Sequence, residues 1–129
     1  MTATHHPLPI DRTGRTFRFE ITTTEEHPRT VDGYFIINTY EDGTPGELFI
    51  HMDKTGSTVS GLLDCWAITV SIALQHGVPL DAICHKLSGI RFPPEGKSPS
   101  LTNNGERHEV SSIVDLICRR LLGWMGEEV

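Results

Sequence analysis

Residues 47–66 read ELFIHMDKTGSTVSGLLDCW, and the hydrophobic period changes within this stretch. Up to Met52 the residues favour a β-strand, whereas from Val59 onward apolar side chains recur at helical spacing. A basic turn rich in glycine and hydroxyl groups joins the two parts. The stretch therefore predicts a strand that passes directly into a helix.

Two further strands are predicted before this point. Within residues 16–22 apolar side chains alternate with polar ones, which is typical of a half-buried strand. Residues 23–32 are polar and are expected to form a loop. The β-rich runs 34–40 and 47–52 flank the turn EDGTPG at 41–46, and this arrangement predicts a hairpin.

Helical patterns dominate the second half of the chain. The first helix is expected to end at Gly77 and, because apolar residues surround most of it, to be mostly buried. A second helix is predicted from Pro79, and a third ends near Gly123. Residues 91–107 hold many Pro, Gly and Asn residues, so they are expected to form a long loop.

The order of these elements predicts an α+β fold. A small antiparallel sheet, formed by the N-terminal strand and the β-hairpin, is covered on one face by about three helices. Residues 1–14 lack periodicity and are predicted to form a flexible N-terminal arm. Residues 15–129 are predicted to form a single domain.

Composition limits the function. The chain has 129 residues and a formal net charge of -6, which argues against general nucleic-acid binding. Cys65, Cys84 and Cys118 form no CxxC pair, so we expect neither a zinc ribbon nor a disulfide framework, and a reducing cytoplasm fits best. No apolar run has signal length and none approaches a bilayer span, so no membrane contact is expected.

The turn that opens the first helix is the best candidate for a binding site. Gly56, Ser57 and Thr58 offer backbone N–H groups and hydroxyls at a helix N-terminus, and Lys54 adds a positive charge, so the turn suits a phosphate group. The order of residues is not that of a Walker A loop. The alternative is that Ser57 or Thr58 is an ordinary N-cap. Gly61 permits a close approach, by a ligand or by a neighbouring backbone.

Arg91 and Phe92 extend this hypothesis, because they could supply a guanidinium and a stacking ring to a nucleotide. The alternative is a core phenylalanine beside an exposed arginine. The histidines form no HxxxH or HxH pair, so no metal and no cofactor are expected. A nucleophile–base pair such as Cys65 or Ser57 with His76 has no local signature to support it.

Several ordered motifs together resemble the TSCPD-type domain at the C-terminus of adenosylcobalamin-dependent ribonucleotide reductases. The likeness covers roughly residues 16–122, and the motifs are GY at 33–34, YEDGTPGELFI at 40–50, GST at 56–58, GLLD at 61–64, ALQHGVPL at 73–80, RFPPEG at 91–96 and SIVD at 112–115. The reductase barrel of that family, with its radical cysteine and redox pair, has no counterpart in this sequence. The resemblance therefore implies the fold and gives no support to catalysis.

Three functions follow as expectations. The first is a stand-alone, non-enzymatic module that binds or sequesters a nucleotide or another phosphorylated small molecule, as some small viral proteins do. The second is an accessory subunit or regulator that docks on a ribonucleotide reductase in deoxyribonucleotide synthesis. The third is a metal-binding or redox protein that uses the cysteines and histidines. Self-association into a homo-oligomer is expected for the first two.

Overall fold

The computed structural model describes residues 4–53 and 57–127, and of Ser57 the backbone alone. Its elements, in chain order, are β1 Thr13–Thr23, β2 Thr30–Thr39, β3 Pro45–Asp53, α1 Ser57–Gln75, α2 Leu80–Leu87, β4 Gly96–Ser98, β5 His108–Val110 and α3 Ile113–Trp124. Within these residues five strands form one antiparallel sheet in the order β3-β2-β1-β4-β5. The predicted α+β class is confirmed.

The core lies on one face of the sheet. Phe17 on β1 is opposite Phe35 on β2, which in turn is opposite Ile50 on β3, and all three side chains are buried. Trp124 at the end of α3 meets the Phe17 ring edge-on, with 6.4 Å between ring centroids. The alternation read from the sequence therefore places its apolar side chains against α3.

Helix α1 runs along β3, the terminal strand of the sheet. The Ser71 hydroxyl accepts a hydrogen bond from the Leu48 backbone N–H at 2.9 Å. The Gln75 side-chain amide donates to the Gly46 carbonyl at 3.1 Å. These contacts satisfy outward-facing backbone groups of an edge strand, which otherwise offer a template for another chain.

The expectation that α1 is mostly buried is wrong. Only 22% of the Thr58–Gln75 window is buried, because α1 packs along β3 on one side alone. Leu62, Ile68 and Ile72, called the α1 stripe below, are 67%, 60% and 56% exposed. The window is also long and apolar enough, by length and composition alone, to cross a membrane, so the expectation that no segment approaches a bilayer span is wrong as well.

The segment 91–107 is not wholly irregular, contrary to the prediction. Strand β4 lies inside it and pairs with Thr22 and Thr23 of β1 on one side and with β5 on the other. Gly96 is one of the residues that suggested a loop in the sequence, but it makes the pairing with β1 possible. A Cβ at this position would lie 1.9 Å from the Thr22 carbonyl oxygen, so a larger residue would clash. The predicted loop 23–32 is also shorter, because β2 begins at Thr30.

The start of α3 is tied to the end of α2 by a buried carboxylate. Asp115 accepts hydrogen bonds from the backbone N–H groups of Gly89 at 2.6 Å and Ser111 at 2.9 Å. Ser112 is the N-cap of α3, accepting from the Asp115 N–H at 2.9 Å, and its hydroxyl donates to the Ile90 carbonyl at 2.7 Å. One orphan donor of the first turn, the Asp115 N–H, is thus satisfied by the side chain of the N-cap.

The described part of the N-terminal arm contacts the domain. The His6 N–H donates to the Gln75 carbonyl at 2.7 Å, and the Tyr40 hydroxyl donates to the His6 carbonyl. The flexibility of the arm stays a prediction.

Replacing Ser71→Ala tests the contact between α1 and β3. The substitution removes the partner of the Leu48 N–H, and leaving a buried donor unpaired costs about 1–3 kcal/mol. We expect urea denaturation to show a loss of unfolding free energy in that range. Thr69→Ala on the same helix is the control, because the exposed Thr69 hydroxyl bonds only to the Cys65 carbonyl. Equal effects of the two substitutions would contradict this account of the edge.

Candidate functional site

The turn predicted to bind phosphate lies largely outside the described residues, which do not include Lys54 or Gly56. Of Ser57 only the backbone is described, as the first residue of α1. Thr58 and Gly61 are exposed in the first turns of α1, and a Cβ at Gly61 would meet no described atom within 4 Å. Phosphate binding at this turn stays a prediction.

Arg91 and Phe92 lie elsewhere in the fold. Arg91 is exposed and forms an ion pair with Glu95, while the half-buried Phe92 donates its N–H to the Ser111 carbonyl at 3.0 Å. They precede β4, near the β5 end of the sheet, whereas α1 packs along β3 at the opposite end. The structure does not bring these two residues together with Thr58 and Gly61.

A different cavity combines several positive charges. It encloses about 340 Å³ and is lined by polar and cationic side chains around the ring of Phe17. We call it the arginine pocket, and its lining residues are Arg15, Thr16, Phe17, Arg18, Pro99, Ser100, Thr102, Asn103 and Arg120. It exists because β4 pairs with β1 only at Thr22 and Thr23, so the earlier part of the β1 edge stays open.

Two guanidinium groups lie over the same aromatic ring in this pocket. The guanidinium carbons of Arg15 and Arg120 are 5.0 Å and 4.8 Å from the centroid of the Phe17 ring. Arg120 is oriented by a hydrogen bond of 3.1 Å to the Asn103 side-chain oxygen. Burial, followed by the charge of Arg15, lowers the pKa of Arg120 from its usual value, yet a guanidinium remains protonated.

These two arginines differ from their neighbours in charge compensation. Arg12 pairs with Glu47 at 2.8 Å, and Arg119 pairs with Asp115 at 3.3 Å. Among the residues that the structure describes, no carboxylate pairs with Arg15 or Arg120. Two like charges without counter-ions repel each other, and a bound anion would remove that repulsion.

Arg18, at the rim of the pocket, is partly compensated. Its guanidinium lies 3.9 Å from Asp32 and 3.7 Å from Asp53. A larger cleft of about 500 Å³ lies beside Tyr40, but Asp42 and Asp81 line it. Hydrogen bonds from Thr44 lower the pKa of Asp42, so that carboxyl is charged and repels anions. The arginine pocket is therefore the better anion site.

Sequence reasoning missed Arg15 and Arg120. Arg15 lies two residues before Phe17 and four before Phe19, so its side chain is on the same face of β1 as these two buried rings, near the start of the strand. That irregularity was the available signal, whereas nothing in the sequence shows that Arg120 lies beside it.

The cysteines do not form a joint site with the histidines. Cys84 on α2 and Cys118 on α3 are buried, and a hydrogen bond with Cys84, followed by burial, raises the pKa of the Cys118 thiol. Cys65 is exposed on α1. Across residues 4–53 and 57–127, no group of three or more His, Cys, Asp or Glu side chains is placed to hold a metal ion.

Comparison with known proteins agrees with the resemblance in the sequence. The family model of the TSCPD domain matches residues 9–123. A vitamin B12-dependent ribonucleotide reductase of Rhodopirellula baltica is 40% identical over 119 residues, which are 92% of this chain and 10% of the relative. The enzyme of the same name from Streptantibioticus cattleyicolor is 40% identical over 114 residues, 88% of this chain and 17% of the relative. No solved structure matches.

Thiol labelling tests the placement of the cysteines. Cys84 and Cys118 are both buried, and the raised pKa of the Cys118 thiol keeps that group protonated, so both should react slowly with Ellman's reagent in the native protein. The exposed Cys65 should react fast. We therefore expect one fast thiol at neutral pH and all three in denaturant, since the chain has three cysteines. Three fast thiols in the native state would contradict this packing.

Proposed function

The chain belongs to the TSCPD domain family, and from this premise we propose that it is a non-catalytic module that binds a nucleotide or another phosphorylated small molecule. The observation that carries the proposal is the pair Arg15 and Arg120. Both line a cavity of ligand size without a carboxylate partner among the described residues, in a chain of net charge -6.

The relatives favour a nucleotide and give no ground for catalysis by this chain. Their name makes them enzymes of ribonucleotides, but the chain spans only 10% to 17% of the first relatives it matches. Their vitamin B12 is a corrinoid far larger than the cavities of about 340 Å³ and 500 Å³. The residues that line these cavities do not fit it.

Guanidinium groups suit this role for a physical reason. They stay charged at every physiological pH and present paired N–H donors that match phosphate oxygens. Stacking on Phe17 fixes both groups before a ligand arrives, which lowers the conformational entropy lost on binding.

Calorimetric titration of ATP into Arg120→Gln tests the proposal. Hydrogen bonds to charged groups contribute about 1.5–3 kcal/mol, so the affinity should fall at least about tenfold. Arg91→Gln and Lys54→Gln are the controls, and both should bind ATP as the unmodified protein does. A loss confined to Lys54→Gln would move the ligand to the turn before α1. No binding of any phosphorylated compound at millimolar concentration would contradict the function.

A second candidate function is docking on a ribonucleotide reductase, and the α1 stripe favours it. Ile68 and Ile72 also line a groove of about 380 Å³ beside Phe49 on β3, and Phe49 is itself 53% exposed. Contiguous apolar surface of this kind marks an interaction site more often than a bare solvent face. The relatives are much longer than this domain. We propose that the part of such a reductase outside the matched region is the partner that contacts the α1 stripe.

Ile68→Ser tests this docking. If the stripe contacts a reductase, the substitution should weaken co-purification with a vitamin B12-dependent reductase from a source that also encodes this chain. Ile10→Ser is the matched control, because Ile10 is 95% exposed and lies outside the stripe. Light scattering should give the same mass for both variants as for the unmodified protein. A dimer that only Ile68→Ser dissociates would instead assign the stripe to the predicted homo-oligomer.

A further inference from the structure

The lining of the arginine pocket separates two parts of a nucleotide, the base and the phosphate chain. A base is recognised by stacking on an aromatic face and by hydrogen bonds to both donors and acceptors on its edge. A phosphate chain offers only acceptor oxygens and negative charge. The groups that remain free in the pocket therefore indicate which part it can bind.

No aromatic face is open to a base in this pocket. Phe17, its one ring, is 4% exposed. Phe35 stacks on it at 4.9 Å with 18° between the ring planes. The guanidinium groups of Arg15 and Arg120 also lie over it, at 5.0 Å and 4.8 Å from its centroid. A base that enters the pocket would find no ring on which to stack.

Two side-chain acceptors of the pocket already accept a hydrogen bond from the protein. The Asn103 side-chain oxygen accepts from Arg120, and the Ser100 hydroxyl oxygen accepts from the Glu20 N–H at 3.0 Å. The Thr102 hydroxyl donates its proton to the Asn104 side-chain oxygen at 2.6 Å. The Asn103 and Ser100 oxygens, which could accept from the amino groups of a base, thus each have one lone pair already engaged.

Donors, by contrast, remain available. Each guanidinium has five N–H groups. Among the described residues of the pocket, Arg120 donates a single hydrogen bond, to Asn103. Along β1 the Glu20 N–H points towards Ser100, and the alternation of an antiparallel ladder turns the Arg18 N–H to the same side. Beyond Thr22 and Thr23 no strand pairs with this edge of β1 in the described chain.

We infer that the arginine pocket binds the phosphate chain of its ligand and does not distinguish between bases. This inference rests on the proposed function and narrows it to the class of polyphosphate-bearing compounds. Affinity then follows the number of phosphate groups, because each one adds charge and acceptor oxygens in front of Arg15 and Arg120. The base and the sugar extend from the open mouth of the pocket into solvent.

A competition series tests the inference in buffer of low salt with EDTA, so that no divalent cation shields the phosphates. A fluorescent ATP analogue is displaced by ATP, GTP, CTP, UTP, AMP, adenosine or inorganic tripolyphosphate. Since base recognition discriminates roughly tenfold or more where it occurs, the four triphosphates should agree within about threefold. Tripolyphosphate should compete as well as ATP, AMP more weakly and adenosine not at all.

The variants locate the effect in the pocket. Two substitutions are expected to lower the affinity for tripolyphosphate and for ATP by the same factor: Arg15→Gln, which is at an exposed position, and Arg120→Gln. Arg91→Gln should change neither affinity. Added KCl should weaken the binding of both ligands, because salt screens the attraction between the guanidinium groups and the phosphates.

The possible failures are distinguishable. If triphosphates bind with more than about tenfold preference for one base, or if adenosine competes like ATP, base recognition occurs and this inference falls while the proposed function stands. The same holds if both arginine variants bind tripolyphosphate unchanged. If no phosphorylated compound binds at all, the proposed function falls with it.

Discussion

The buried carboxylate of Asp115 is the contact on which the other features depend. A charge removed from water costs several kcal/mol unless it is hydrogen-bonded, and here the donors come from two loop N–H groups and from Arg119. These donors join the end of α2, the residues after β5 and the second turn of α3. The carboxylate therefore fixes how α3 lies against the sheet, and with it the position of Trp124 against Phe17.

The orientation of α3 gives the adjacent residues Arg119 and Arg120 different roles. Arg119 faces Asp115 and the Glu109 carbonyl, so its charge is used within the domain. Arg120, the next residue, lies over Phe17 near Arg15, and its guanidinium donates to the neutral amide of Asn103. Two cations without a carboxylate partner among the described residues thus lie close together in an acidic chain, and the local field there is opposite in sign to the net charge. This contrast supports the pocket, in preference to other polar surface, as the proposed ligand site.

Local signals in the sequence were sufficient for most of the fold. The turn at 41–46 and the change of period near Val59 gave the hairpin and α1 correctly. Burial of α1 was not predictable in the same way, because periodicity records apolar residues and not whether a neighbour covers them. Gly96 was read as a breaker although it is where two backbones meet. The pocket depends on Arg15 and Arg120, which lie far apart in the chain and meet only through the packing of α3 on the sheet.

The open edge of β1 has a consequence for solubility. An unpaired strand edge invites a second chain to add to the sheet, and natural proteins oppose this with charge. Arg15 and Arg18 flank the part of β1 that β4 leaves unpaired, so two copies meeting edge to edge would bring like charges together. A bound polyanion would cancel that repulsion and at the same time occupy the edge. The cations of the pocket thus oppose edge-to-edge aggregation, and a bound polyanion would take over that protection.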